Sequence, residues 1–491
     1  MKILIENGNV CSLDLPLKFA QKLYAEFAIR HPNAFYLRTR QRGMQNWDGK
    51  IHYINKHGEF KIGLLPAVYE KCIEYGIKPK VVDMRQPLPK VSKVVTKIGE
   101  YKLRPEQEKA VKAVINNKVG KVPFQIGVLD YTVNAGKTLI MSSLYLSYKN
   151  QLKTLLITND SDWLNQARDE FKKYLPGEQI TFVQGKVLNW SNFTIGMVQS
   201  ISRNMRFYQN ELAKVDMVLV DEADQAGSKQ YQNVLTRLFN TRVRIGLSGT
   251  IYMSKLAKDK VKNMNLEVFF GKVLAEFKLK DSIKKGYSTR TIVKMVPSKP
   301  WYGNWESEEV SYKEVYDDSI TFNKYARKMV YDRLKWNIKQ GRYPALVVCK
   351  FIAHCEKLCK YFKKKLGSKY NIACVHVDTP SKIRQQIMKD FREGKIDILV
   401  STTIIARGKN FPKLRYLLNA ASMDSQEKSI QFLGRLVRTD SSKKKVYLDD
   451  LHYPGPYLNR HGKHRKQYYQ KQELKVILLE KIWKNHPIHS L

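Results

Sequence analysis

From Gln125 onward, short apolar runs rich in β-branched residues recur at intervals of about thirty residues, separated by charged stretches of helical period. Parallel strands need a long crossover, usually a helix, so this rhythm predicts βαβ units built on parallel sheets. The first set of strands is expected at 126–129, 154–158, 194–198, 217–220 and 243–247, and the second at 345–349, 372–377, 397–401, 416–419 and 446–448. Two sets of five predict two similar α/β domains. Between them, 284–308 contains Pro297, Pro300, Trp301, Gly303 and Trp305 and reads as a linker or hinge.

The ends of the chain differ from this middle. Residues before about 95 show a helical period at 17–29 and a Gly-punctuated alternation at 43–63 that reads as a hairpin; Pro87 and Pro89 then stop regular structure. They predict a small α+β domain. The tail after Asp449 is rich in Lys, Tyr and His, with a helical pattern expected at 472–483. The expected division is therefore 1–95, 96–285, 286–450 and a basic extension, 451–491.

Composition narrows the partners. The 491 residues carry 87 Lys and Arg against 45 Asp and Glu, a formal charge of +42, which calls for a polyanion. With 43% hydrophobic residues each domain has enough apolar material for a core, which excludes a disordered chain. No apolar run approaches the length of a membrane span, and residues 1–10, with Glu6 and Asn7, lack the apolar stretch of a leader, so an unsecreted cytoplasmic protein is expected. The six cysteines form no Cys-x-x-Cys pair and the histidines no ligand spacing, so free, mostly buried thiols are expected, with no zinc site. His461 to Lys471 reads as a solvated basic segment that attracts phosphates non-specifically.

Directly after the first strand run comes Thr132-Val133-Asn134-Ala135-Gly136-Lys137-Thr138, followed by a helical stretch. A strand, a tight loop and a helix start aim backbone N–H groups at a polyphosphate, while the lysine reaches its outer oxygens and the threonine hydroxyl holds Mg²⁺. Tyr131 stands where the full pattern has its first glycine, and the tetrapeptide alone is a common chance match. The strand run 217–220 leads into Asp221-Glu222-Ala223-Asp224, which places two carboxylates at the carboxyl edge of a parallel sheet. Asp221 is then the Mg²⁺ ligand and Glu222 the base for an attacking water. Ser248-Gly249-Thr250 follows the strand run 243–247 and supplies small hydroxylic residues that link the carboxylates to a neighbouring domain. In Gln431-Phe432-Leu433-Gly434-Arg435-Leu436-Val437-Arg438, the arginines are three residues apart and so share one helix face. Arg435 and Arg438 are the arginine-finger candidates; the bland reading is a solvated basic face.

The order of these motifs, across 101–438, resembles superfamily 2 helicases with two tandem RecA-like parallel-sheet domains. Asn46-Trp47-Asp48-Gly49-Lys50-Ile51, Gly63-Leu64 and Phe391-Arg392-Glu393-Gly394 resemble the phage helicases of the UvsW type, whose small first domain binds DNA. The resemblance implies an ATP- and Mg²⁺-dependent DNA motor with nucleotide held between its two RecA-like domains. It implies adenine recognition by Gln107, nucleotide contacts by Asn134, Ala135, Gly136, Lys137, Thr138 and Gly408, nucleic-acid contacts by Gln199 and Thr402, and coupling through Ser248, Thr250 and Gln431.

Departures matter too. Thr132-Val133 and Asn159-Asp160 replace the usual starts of two motifs, and the second change puts a threonine contact to the polymer backbone in doubt. The Asp-Glu-Ala-Asp spelling is shared with RNA-directed helicases, although Gln431 stands where those usually have histidine. In the first domain, Arg30, Arg38, Arg40, Arg42 and Lys50 surround Tyr36 and Trp47, a mixture of cations and rings suited to phosphate contact and base stacking. The expected activity is that of a monomeric helicase or translocase acting without sequence preference on branched or single-stranded DNA, including forks, junctions and R-loops. An RNA helicase and a catalytically silent nucleic-acid clamp are the rivals.

Overall fold

The computed structural model describes residues 1–40, 44–159, 161–249, 251, 257–298, 310–406, 411–440 and 443–479. Arg42, Thr250, Gly408, Trp301 and Trp305 lie outside the described residues. The chain forms two compact units, Met1–Phe277 and Lys278–Leu491.

The first unit is built on a seven-stranded sheet whose strands are all parallel: Ile126–Tyr131, Thr154–Thr158, Ile180–Val183, Phe193–Met197, Met217–Asp221, Val243–Ser248 and Val273–Phe277. Counted along the chain, they lie side by side in the order 3-4-2-5-6-1-7. The central strands are buried along their whole length, which is why they read as unbroken apolar runs and not as alternation.

The second unit repeats the plan with Arg290–Pro297, Ala345–Cys349, Ile372–Val375, Ile398–Thr402, Tyr416–Asn419, Lys445–His452 and Lys475–Leu478. These strands are also parallel and also run 3-4-2-5-6-1-7. Each unit is therefore a RecA-like parallel sheet, with seven strands in place of the five expected.

The extra strands correct two expectations. Arg290–Pro297 lies inside the stretch read as a linker, yet pairs on one side with Lys445–His452 and on the other with Lys475–Leu478. Its alternation of Thr291, Val293 and Met295, all buried, was outweighed by the Pro, Gly and Trp residues that follow. Lys475–Leu478 occupies the tail where a helix was expected, because a four-residue run with three apolar side chains does not distinguish the two periods. The helix lies just before it, at Leu458–Lys471, and buries His461, Arg465, Tyr468 and Tyr469, so this segment is not a solvated basic run.

The amino-terminal block is α+β. Its four-stranded sheet runs Glu59–Lys61, Val10–Asp14, Lys2–Ile5, Lys80–Asp83, and helices Leu17–Glu26 and Leu65–Glu74 accompany it. Of the expected hairpin the tip forms, where Ile54 pairs antiparallel with Phe60, while its arms take other partners: Lys50–His52 pairs with Ala28–Arg30, and Glu59–Lys61 with Val10–Asp14.

This block shares one apolar core with the first parallel sheet, in which Ile3, Leu64 and Val68 pack in the same cluster as Val128 and Ile157. Gly63 permits the approach, since a Cβ there would lie 2.2 Å from the Glu267 carbonyl oxygen. Arg244, fully buried in the sixth strand of the large sheet, donates to the Gly8 carbonyl at 2.8 Å and to Asn9 Oδ1 at 2.7 Å. Burial pushes its pKa down to about 9, and those acceptors offset part of the desolvation.

Candidate active site

At the carboxyl edge of the first sheet, the strand Ile126–Tyr131 turns into helix Lys137–Ser147 through five residues. Asn134 and Gly136 both have left-handed backbones, with φ of 64° and 72°. Gly136 is required on a second ground: a Cβ there would stand 2.3 Å from Gln107 Nε2. Tyr131 fits the missing-glycine position because the strand has not yet ended there. It is buried against Phe277, its hydroxyl donates to the Glu106 carbonyl at 2.6 Å, and burial pushes its phenol pKa up.

Gln107 is occupied at both ends of its amide. Nε2 donates to the Ala135 carbonyl at 2.8 Å, and Oε1 accepts from the Arg104 backbone N–H at 2.8 Å. Arg104 adds a bond to the Asn134 carbonyl at 3.2 Å. The segment expected to meet a base thus also braces the loop expected to meet phosphates. Lys137, at the first helical position, places Nζ 3.9 Å from Asp221 Oδ1, an ion pair longer than a hydrogen bond. Thr138 follows it on the same helix, half-buried.

Asp221 ends the fifth strand, and Glu222 follows with a left-handed backbone, φ 53° and ψ 47°. For a non-glycine residue that conformation costs about 1–3 kcal/mol and is typical of functional sites. Gln225 Nε2 donates to Glu222 Oε2 at 3.2 Å, the Gln225 side chain is bonded by Asn159 Nδ2, and Gln199 Nε2 donates to the Asn159 carbonyl at 3.2 Å. An amide chain therefore runs from Gln199 to Glu222. Asn159, a departure from the usual motif, directs its side chain into this chain.

Ser248 Oγ donates to Asp224 Oδ1 at 2.7 Å, with both groups buried. Gly246 and Gly249 make that proximity possible. A Cβ at Gly246 would lie 2.8 Å from the Ala223 Cβ, and one at Gly249 would lie 2.9 Å from the Thr132 Cα. Three sequence motifs thus meet at one sheet edge in the first unit. Gln225, which immediately follows Asp224, and Gly246 belong to none of the motifs, and only proximity to those motifs could have signalled them.

Other candidates are scattered. On the amino-terminal block, Arg38 and Arg40 belong to the exposed helix Ala34–Arg40. Arg38 Nε donates to the Trp47 carbonyl at 2.7 Å, and Arg40 lies over the Tyr36 ring. Trp47 is half-buried, with its indole N–H on the Lys50 carbonyl at 2.9 Å, and Asp48 Oδ1 accepts from the Lys50 backbone. These bonds close a tight turn around Gly49 and leave the Lys50 side chain exposed.

In the second unit, Thr402 ends its strand and is largely buried. Gln431 and Arg435 are half-buried on helix Gln426–Leu436, but Arg438 lies two residues past the helix end. The two arginines therefore do not share a continuous helix face: Thr289 takes the chain over, its backbone N–H bonding the Val437 carbonyl at 2.8 Å and its hydroxyl the Arg438 carbonyl at 3.1 Å. The loop before this helix is held by the tail helix. Arg465 donates to the Met423 carbonyl at 2.9 Å, and His464 Nδ1 lies 2.8 Å from Asp424 Oδ1.

One family match falls within each unit. Residues 100–253 match the model "Type III restriction enzyme, res subunit", and residues 327–440 match "Helicase conserved C-terminal domain". The ATP-dependent DNA helicase uvsW of Enterobacteria phage T4 is 22% identical over 431 residues, 83% of this chain and 82% of the relative. The two matches and this relative make the chain an ATP-dependent helicase similar to the UvsW type of superfamily 2. Two further helicase relatives, from Sulfolobus islandicus filamentous virus and Saccharomyces cerevisiae, are matched over only 65% and 51% of their own length. Among solved structures, a fragment of an HsdR subunit of a type I restriction enzyme from Vibrio vulnificus shares the fold with a TM-score of 0.55, at 16% identity, covering 74% of this chain and 64% of that one. Helicases of this family use ATP, typically with Mg²⁺, and bind nucleic acid. The residues at the first sheet edge fit such a ligand: a left-handed loop that cannot accept a side chain at 136, a lysine, a hydroxyl and a carboxylate. Among the described residues no helix is long and apolar enough to cross a membrane.

Proposed function

We propose that the chain is an ATP-dependent DNA helicase or translocase that unwinds or branch-migrates forked, junction or R-loop nucleic acid without reading sequence. The observation that carries this reading is the convergence of Lys137, Asp221, Glu222 and the Ser248–Asp224 bond on one sheet edge. In this reading Lys137 and Thr138 hold the outer phosphates, with Asn134, Ala135 and Gly136 supplying backbone contacts, while Thr138 and Asp221 hold Mg²⁺. The cation's contribution is to offset charge on the phosphate oxygens. Glu222, oriented by Gln225, takes a proton from the attacking water, and Arg435 and Arg438 supply positive charge for the γ-phosphate. Gln107 reads the base while bracing the loop. Arg38, Arg40, Trp47, Lys50, Gln199 and Thr402 contact the polymer, and Ser248 and Gln431 couple the two events. Arg42, Thr250 and Gly408 keep the roles that the family resemblance gives them. The steady charge of +42 supports a phosphate-tracking grip that weakens with salt.

Steady-state ATP hydrolysis at one fixed salt concentration, with no polymer, single-stranded DNA, a four-way DNA junction or single-stranded RNA, tests the proposal. Greatest stimulation by the junction is expected. Stimulation by RNA alone would replace the reading with an RNA helicase, a rival supported by the Asp221–Asp224 spelling. DNA binding without any turnover would support a silent clamp.

A further inference from the structure

Outside every motif used so far, the second unit carries its densest charge on two neighbouring helices, Lys324–Lys339 and Ile352–Leu366. Residues 324–369 contain 14 Lys and Arg against one Asp and one Glu. Of the two acids, Asp332 is bonded to Lys328 at 3.0 Å, and Glu356 lies 3.4 Å from His376. The excess is therefore not neutralised within the helices.

The arrangement is ordered. On the second helix, Lys357, Lys360 and Lys364 stand at i, i+3 and i+7, opposite the buried face of Cys355, Leu358, Cys359 and Phe362. On the first, Lys324, Lys328 and Lys335 lie on one face by the same periodicity. The two faces adjoin, because Tyr331 meets Tyr361 edge to face at 5.6 Å and Arg327 lies 5.7 Å from the Tyr361 ring. Buried Tyr331 and half-buried Tyr361 thus join the two helices between their rows of cations.

The occupant follows from what the rings do. Phe322 and Tyr325, although 56% and 52% exposed, carry Lys357 and Lys324 over their faces at 4.6 Å and 5.2 Å. An ammonium group over one face of each ring holds a cation outward and occupies a face that a base would stack on. Fourteen cations against two acids suit a phosphate backbone before splayed bases. Helices of 16 and 15 residues extend about 22–24 Å, roughly seven base pairs of duplex.

We propose that the outer faces of Lys324–Lys339 and Ile352–Leu366 form a second nucleic-acid surface, which holds the backbone of a double-stranded arm of the substrate. This rests on the proposed function only in taking the partner to be nucleic acid. The probe is a blunt DNA duplex, with affinity measured by fluorescence anisotropy over a salt series, for wild type, Lys360→Glu/Lys364→Glu/Lys365→Glu and the milder Lys360→Gln/Lys364→Gln/Lys365→Gln. Reversal should weaken duplex binding about tenfold or more and flatten the slope of log affinity against log salt by about 2 to 3; the neutral variant should fall between. ATP hydrolysis stimulated by a short single strand should be unchanged in both variants. Unchanged duplex affinity and slope in protein that still hydrolyses ATP would overturn the surface alone. Wild-type protein without affinity for any polymer would overturn the helicase reading with it. Loss of binding to polyglutamate but not to duplex would overturn it in favour of an acidic protein partner.

Discussion

Each unit carries a pair of consecutive acidic residues, one pair within a strand of its parallel sheet and the other at a strand's end, and the two are treated in opposite ways. In the second unit, Asp449 and Asp450 lie in mid-strand with no exposure. Asp449 accepts from Arg333 at 2.6 and 2.9 Å, from Asn337 and from Tyr416; Asp450 accepts from Arg465 at 2.8 and 3.0 Å, from Asn419 and from Tyr469. In the first unit, Asp221 ends its strand beside a lysine at 3.9 Å, and Glu222 is half-buried on a strained backbone with a neutral amide on its carboxylate. A carboxylate in mid-strand held by an arginine belongs to the scaffold, whereas the proposed site uses one at a sheet edge, facing a lysine at long range. Burial and partners, not the acidic dipeptide itself, separate the roles.

The sharpest way to break this comparison is to remove an arginine from the buried pair. Arg465→Ala leaves Asp450 buried with only neutral donors, and should lower stability by about 3–5 kcal/mol in denaturant unfolding monitored on the full chain. The same change should weaken the fastening of the loop at Met423, ahead of the arginine-bearing helix. If Arg465→Ala left stability intact, the scaffold assignment of Asp450 would be lost.

Glu222→Gln is the matching test for the other pair. It keeps the shape and removes the base, so ATP turnover should drop about 10²–10⁴-fold while the unfolding midpoint and DNA affinity stay close to wild type. Lys137→Ala should also abolish turnover without loss of DNA binding. Normal turnover by purified Glu222→Gln would remove Glu222 from the chemistry.

What could be read from the sequence divides along the same line. The phosphate loop, the strand running into Asp221 and the two parallel sheets are local features, in which contiguous residues set both the element and the groups at its end. The partners of Asp449 lie up to 116 residues away, and the amide chain from Gln199 to Glu222 joins Asn159 to Gln225 across 66 positions. Neither leaves a local pattern. The strands Arg290–Pro297 and Lys475–Leu478 failed for a related reason: next to prolines, or four residues long, their character is set by the neighbours they pair with.

A smaller effect sharpens the functional side. Gln225→Ala removes the donor to Glu222 and the partner of Asn159, both at the half-buried edge. Polymer-stimulated ATP turnover should fall roughly tenfold, in line with a hydrogen bond to a charged group, while turnover without polymer changes little. An equal loss with and without polymer would mean that Gln225 only orients Glu222 and that the amide chain carries no signal from Gln199.

The smallest effect near neutrality comes from His354, which lies within the second unit's core with Tyr316 Oη 3.0 Å from its Nδ1. Burial lowers its pKa to about 3, with Arg327 adding to the drop and Asp317 opposing it. Because the folded value lies below the ordinary 6.5, the unfolded chain takes up the proton first as pH falls. Stability is then fully present above the ordinary value and declines from there to about pH 3, by up to about 1.4 kcal/mol per pH unit. His354→Gln cannot titrate, so its unfolding midpoint should fall less steeply than that of wild type between pH 6 and pH 5, whatever its stability at neutral pH. The comparison of slopes, not of midpoints, isolates the proton from the lost Tyr316 contact. Parallel slopes would mean that the imidazole is protonated in the fold, and that the second unit's interior tolerates a charge without the arginine partners that Asp449 and Asp450 possess.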